Sequence, residues 1–178
     1  MIIEKNKRQY LNEDLNIQSW EDLKSYFDDL LAREIDSKEK FERWLNDRSE
    51  LDAVLEEDLA WRYIRMSINT ADTELRAAYT AFVTQIQPEL APLEDQLNQK
   101  LMALPFLEER TDSAHQIYFR SVRTALDLYR EENIAIEAAL NEEAQQYGAI
   151  SAAQTIEHNG ENLTLQQAAL LLKDQDET

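Results

Sequence analysis

From Trp20 onward the apolar residues recur three and four positions apart, the spacing that places side chains on one face of an α-helix. Trp20, Leu23, Phe27, Leu30 and Leu31 predict a first helix that begins after Ser19 as N-cap and ends near Arg33 to Ile35. A second is expected to restart at Asp36-Ser37-Lys38-Glu39, a capping-box spacing, and to carry Phe41, Trp44, Leu45, Leu51, Leu55, Leu59, Arg62 and Met66 on one face. Arg48 falls on that face and reads as a buried stem with its head paired to an acid. Thr70 or Asp72 can cap a third helix, whose row Leu75, Tyr79, Phe82, Ile86, Leu90, Leu93, Leu97, Leu101 and Leu104 keeps phase through Pro88 and Pro92. An interior proline costs a helix about 3 kcal/mol, yet a broken segment would have no reason to keep phase. One rod from about Asp72 to Leu104, bent at the prolines, follows.

After Pro105-Phe106, Thr111 or Asp112 opens a helix carrying Phe119, Val122, Leu126, Tyr129, Ile136, Leu140, Ala144 and Tyr147, with a bend plausible at Glu131-Glu132-Asn133 and a stop at Gly148. The period then changes. Asn159-Gly160 lies between two short β-prone runs, the signature of a two-residue hairpin whose turn needs positive φ at both positions. Thr164-Leu165-Gln166-Gln167 has capping-box spacing, with Thr164 and Gln167 as the reciprocal pair of a last helix. The predicted fold is mainly α: a bundle of long antiparallel helices, one C-terminal β-hairpin, then a short helix. Its expected organisation is an extended lead-in over 1–18, the bundle over 19–153, and the hairpin and helix over 154–178.

Composition strengthens the helical reading. In 178 residues with 43% apolar content there are 2 glycines and 3 prolines, so a sizeable core is affordable and helix breakers are scarce. The formal net charge of -18 opposes nucleic-acid phosphates and anionic membrane surfaces. No apolar run approaches the roughly 18 residues of a membrane span, and the polar Met1 to Asn16 is not a secretory signal, which makes the cytoplasm the default. Cysteine is absent, removing disulfides, thiol nucleophiles and thiolate metal sites.

The remaining chemistry is sparse. A zinc peptidase of the commonest design needs two histidines one helical turn apart with a glutamate between them. Only His115 and His158 are present, at unrelated positions, and Asp112-x-x-His115 is the nearest approach to a di-metal bundle motif. No glycine-rich phosphate loop and no serine or threonine nucleophile motif occurs. Neither a catalytic nor a metal-binding residue is assigned, and Glu56-Glu57, Glu131-Glu132 and Glu142-Glu143 read as solvated faces.

Four stretches resemble a known family. Ser49 to Ser67 (SELDAVLEEDLAWRYIRMS), Leu97-Asn98-Gln99-Lys100-Leu101, Tyr129-Arg130-Glu131-Glu132-Asn133-Ile134, and the hairpin with Thr164-Leu165-Gln166-Gln167-Ala168-Ala169 are similar, in order, to the N-terminal region of the oligoendopeptidase F family of zinc-dependent, thimet-oligopeptidase-like peptidases. Tyr129-Arg130 stands where that family leads one to expect Phe-Arg. The resemblance implies a two-lobed helical metallopeptidase whose internal channel admits unstructured oligopeptides. Within it this chain would be scaffold and one channel wall, inactive alone, with zinc and its ligands downstream in the parent polypeptide. Implied partners are the catalytic lobe and, for the parent, oligopeptide substrates; the isolated chain is expected to self-associate through the hairpin and last helix. The alternatives are a self-contained acidic binding module or adaptor, and a mimic of nucleic acid that has only its charge in favour.

Overall fold

The structure is a computed structural model and describes residues 7–172. The first residues of the expected lead-in and the polar run Lys173 to Thr178 lie outside the described residues. In chain order the elements are α1 (Glu21–Ala32), α2 (Lys38–Ile68), α3 (Thr73–Ala81), a π-helical turn (Phe82–Ile86), α4 (Gln87–Met102), a 3₁₀ turn (Pro105–Glu109), α5 (Ser113–Leu128), α6 (Asn133–Ala153), β1 (Thr155–His158), β2 (Glu161–Thr164) and α7 (Leu165–Leu171). The mainly helical fold with one antiparallel hairpin is the predicted one.

Helix starts follow the local polar chemistry, with two changes of actor. Asp72 accepts from the amides of Glu74 and Leu75, and Asp112 from that of His115. At α2 the cap is Ser37, accepting from Lys40 N, while Asp36 instead pairs with Lys40 Nζ at 2.8 Å. At α1 the expected Ser19 hydroxyl cap does not form. The Asp22 carboxylate turns back to accept from the amides of Gln18 and Ser19, each at 2.9 Å, and from the Ser19 hydroxyl at 3.4 Å, so that hydroxyl is engaged as a donor.

Helical backbone runs without an extended linker from Thr73 to Met102, as phase demanded. The irregularity falls earlier than the prolines themselves. Pro88 cannot bond the carbonyl four residues back, and the preceding backbone widens into the π turn, where Gln87 N donates to Phe82 O. The expected fourth helix is two, since Tyr129 to Glu132 leave the α conformation between α5 and α6. Gly148 does not stop α6, which continues to Ala153; glycine permits termination but does not enforce it.

The chain divides into two compact units between Ala138 and Ala139, fifteen residues before the boundary expected at 153. In the first, Phe27, Phe41, Trp44, Leu51, Leu97, Leu101 and Phe119 are among the fully buried side chains of one core. Leu11 and Ile17 of the lead-in belong to that core. In the second, β1 and β2 pair Thr155 with Thr164, Ile156 with Leu163, Glu157 with Asn162 and His158 with Glu161. The face shared by Ile136, Leu140 and Tyr147 is not buried: each remains exposed.

Candidate functional site

Buried charge collects where α2 meets α4. Trp44, Arg48, Leu51 and Leu55 share the inward stripe of α2, so the core carries Arg48 with it, leaving 6% of that residue exposed. Its Nη2 donates to Asn98 Oδ1 of α4 at 2.5 Å, and the guanidinium lies 5.7 Å from the Trp44 ring centroid. Asp52, one helical turn on, approaches Nε only to 3.7 Å. Arg48 Nε and Nη1 therefore have no hydrogen-bond acceptor among the described residues. A cavity of about 220 Å³ lies beside them, lined by Arg48, Asp52, Leu55, Glu56, Glu94 and Asn98.

Asp52 and Glu94 beside Arg48 are held above the usual carboxylate range. For Asp52 the larger cause is lost hydration, which outweighs the opposing pull of Arg48 and is helped by Glu56. Glu94, at the solvent-facing rim, is raised by desolvation and then by Asp52 and Glu56, against Arg48. The Tyr118 hydroxyl of α5 is raised by desolvation, with Arg48 and Asp52 pulling in opposite directions. This arrangement ties helices through charge. It offers no nucleophile, and its paired acids lack a histidine partner.

The residues singled out in the sequence lie elsewhere. Asn159 and Gly160 have φ of 52° and 82° and form the hairpin turn. Thr164 accepts from Gln167 N while the Gln167 side chain accepts from Thr164 N at 2.8 Å, closing the capping box. His115 Nδ1 sits 2.7 Å from Asp112 Oδ2, and His158 pairs with the Asn159 amide. Among the described residues no group of three or more His, Asp or Glu is placed to hold a metal ion. Among the described residues the donor set does not fit a catalytic zinc.

Two further anchors escape a reading by periodicity. Glu50 accepts from three successive lead-in amides, Gln9, Tyr10 and Leu11, at 2.9, 3.1 and 2.8 Å. These hydrogen bonds hold its carboxyl below the usual range despite the opposing desolvation. Lys100 Nζ donates to the carbonyls of Leu30, Leu31 and Arg33, sealing the end of α1 from across the core. Desolvation and the neighbouring Arg33 lower its ammonium from the ordinary lysine value. The signal for both was a polar residue next to strongly apolar positions: Glu50 beside Leu51, Lys100 beside Leu101.

The family model described as the Peptidase M3 N-terminal domain matches residues 12–129. The chain belongs to this family. No curated protein and no solved structure matches it. Within this M3 N-terminal domain the family-like stretches are explained by contacts. Ser49 to Ser67 supplies Glu50 for the lead-in and Asp52 beside Arg48, while Leu97 to Leu101 supplies Asn98 for Arg48 and Lys100 for α1. The matched span closes at Tyr129, just past α5; Arg130 to Ile134 and the hairpin, quoted for the same resemblance, fall beyond it. No helix among the described residues is long and apolar enough to cross a membrane.

Proposed function

We propose that this M3 N-terminal domain is the helical lobe of a zinc-dependent oligopeptidase of the oligoendopeptidase F type, forming scaffold and one wall of a peptide channel. The observation that carries the reading is the family match over residues 12–129. Chemistry is supplied elsewhere in the longer polypeptide: zinc, when bound there, activates water for attack on the peptide carbonyl. The present chain contributes shape and support. Its proposed partners are the catalytic lobe and, through the assembled enzyme, oligopeptides; its proposed compartment is the cytoplasm. The acidic surface, at -18 overall, favours basic or N-terminally charged peptides over acidic ones.

The unit beginning at Ala139 supports a covered position in the whole enzyme. Tyr147, Ile150, Leu170 and Leu172 are all exposed there, and apolar residues left open in this number favour self-association when the lobe is alone. The same exposure is what an acidic adaptor would use to bind a separate protein, which is the second reading. The test assays residues 1–178 and the longer polypeptide on a short fluorogenic peptide, with added zinc and a chelator control. Turnover by the longer polypeptide alone, abolished by chelator, is expected. Chelator-sensitive turnover by residues 1–178 would overturn the inactive-lobe reading, and no turnover by a folded, zinc-loaded longer polypeptide would overturn the peptidase reading.

A further inference from the structure

The hairpin turn carries chemistry that the peptidase reading does not use. The chain has 2 glycines, and since Tyr147 precedes Gly148, Asn159 and Gly160 form its one Asn-Gly bond. In such a pair the backbone nitrogen of the glycine can attack the side-chain carbonyl carbon of the asparagine and close a cyclic imide, because no Cβ on the glycine shields that nitrogen.

Three features of this turn open the route. Asn159, Gly160 and all of β1 are exposed, so water reaches the reacting atoms. Nothing lies within 4 Å of the point where a Cβ on Gly160 would stand, so no other part of the chain packs over the glycine. The His158 Nε2 sits 3.1 Å from Asn159 Nδ2, the nitrogen that has to leave. One feature opposes it. The φ of 52° at Asn159 belongs to the left-handed region, and the imide ring needs the residue turned about its Cα–C bond, so the turn must open before the ring closes. A two-stranded hairpin is marginal in water, which makes that opening an accessible local event.

We infer that Asn159 is a self-modification site, where the Gly160 backbone nitrogen displaces the Asn159 side-chain nitrogen and His158 protonates the departing ammonia. Solvent takes the Gly160 N–H proton, the bond from that nitrogen to Asn159 Cγ forms, and the Cγ–Nδ2 bond breaks. In the resting turn Nδ2–H donates to neutral His158, because an amide nitrogen does not accept. After attack the nitrogen is amine-like, and the protonated imidazole hands it a proton and is recharged by solvent. One water then opens the imide at either carbonyl, giving aspartate at position 159 or its isomer whose chain runs on through Cγ. The net change converts an amide and water to a carboxylate and ammonium, with no oxidant or reductant. Aspartate still suits the type I′ turn. The isomer adds a carbon to the backbone inside the turn and breaks the pairing of His158 with Glu161. The hairpin thus passes with age from one ordered form to a mixture, and either product places a new negative charge near Glu157 and Glu161. The reaction needs neither zinc nor a second lobe and is independent of the proposed function.

The test incubates residues 1–178 at physiological temperature and mildly alkaline pH and follows each asparagine by tandem mass spectrometry, with electron-transfer fragmentation to separate aspartate from its isomer. Both products are expected at position 159 while Asn133, Asn141 and Asn162 stay unchanged. Asn159→Gln should give none, since the longer side chain would need a larger ring. His158→Phe should slow the reaction by about tenfold, less than a rigidly held general acid contributes because the imidazole is exposed, and added imidazole should restore the rate. A hairpin merely loosened by His158→Phe would react faster, so slowing cannot come from misfolding. Loss of Asn159 no faster than loss of Asn162 would overturn the site, and a wild-type rate in His158→Phe would overturn the role of the imidazole.

Discussion

The units on either side of Ala138 and Ala139 are built by opposite means. The first buries a continuous core, with Leu23, Phe27, Leu30, Phe41 and Leu51 fully excluded from solvent. Long-range polar anchors finish its edges: Glu50 on the lead-in amides and Lys100 on the end of α1. In the second unit the described helix α7 and strand β1 bury no residue, and its order comes from contacts a few residues apart: the Asn159-Gly160 turn and the Thr164–Gln167 box. Local chemistry can specify a conformation, but without buried area it adds little free energy, because a hairpin alone is marginal in water. The first unit stabilises itself, whereas the second holds a shape that packing elsewhere would make rigid.

The sharpest break of this contrast is a pair of leucine deletions. Leu51→Ala in the core should cost about 2–5 kcal/mol, and Leu140→Ala on the exposed face of α6 should stay within about 0.5 kcal/mol, both read by urea unfolding. Equal costs would show that the second unit has a core of its own. Next in size is Glu50→Gln, which removes the charged acceptor from three backbone donors and should destabilise by about 1.5–3 kcal/mol at neutral pH. The Glu50 carboxyl is depressed in the folded chain. Its contribution is therefore full above the ordinary carboxylate value and is lost as pH falls through the folded value. The gap between wild type and Glu50→Gln should close in acid, with the amides of Gln9 to Leu11 exchanging faster as it does.

Gly160→Val comes third. Valine at φ of 82° carries strain of about 1–3 kcal/mol, and nuclear magnetic resonance should show the β1 and β2 resonances losing their dispersion while the core melt barely moves. Asp52→Asn has the smallest effect and the opposite sign to Glu50→Gln. The Asp52 carboxyl is raised on folding, so its ionisation opposes the fold above the folded value and does not oppose it below the unfolded one. The substitution should give a slight gain in stability at neutral pH that disappears in acid; a clear loss at neutral pH would mean that Arg48 and Asp52 form a net stabilising pair.

Much of the fold was legible because helix and turn signals are local. The 3.6 period located α1 to α5, asparagine and glycine located the hairpin, and unbroken phase carried the chain through Pro88 and Pro92. The errors share a cause. Ser19, Gly148 and the single fourth helix were read from residues that permit a cap, a stop or a continuation, and permission is settled by competitors such as the Asp22 carboxylate. Of the Arg48 site, periodicity supplied the position on the inward face of α2. It supplied an acid one turn away in Asp52, but it could not supply Asn98 as the hydrogen-bond partner, since Arg48 and Asn98 are 50 residues apart.

The sequence by itself determined the elements, the hairpin turn and the absence of a His-Glu-x-x-His metal motif, because each depends on residues within a few turns of one another. Only the tertiary structure decided which polar groups meet across the core: Glu50 with the lead-in, Lys100 with the end of α1, Arg48 with Asn98. It also decided that the apolar row of α6 remains open while that of α5 is partly buried. A hydrophobic period states that a face seeks cover, and the cover itself is a matter of which surfaces the folded chain brings within reach.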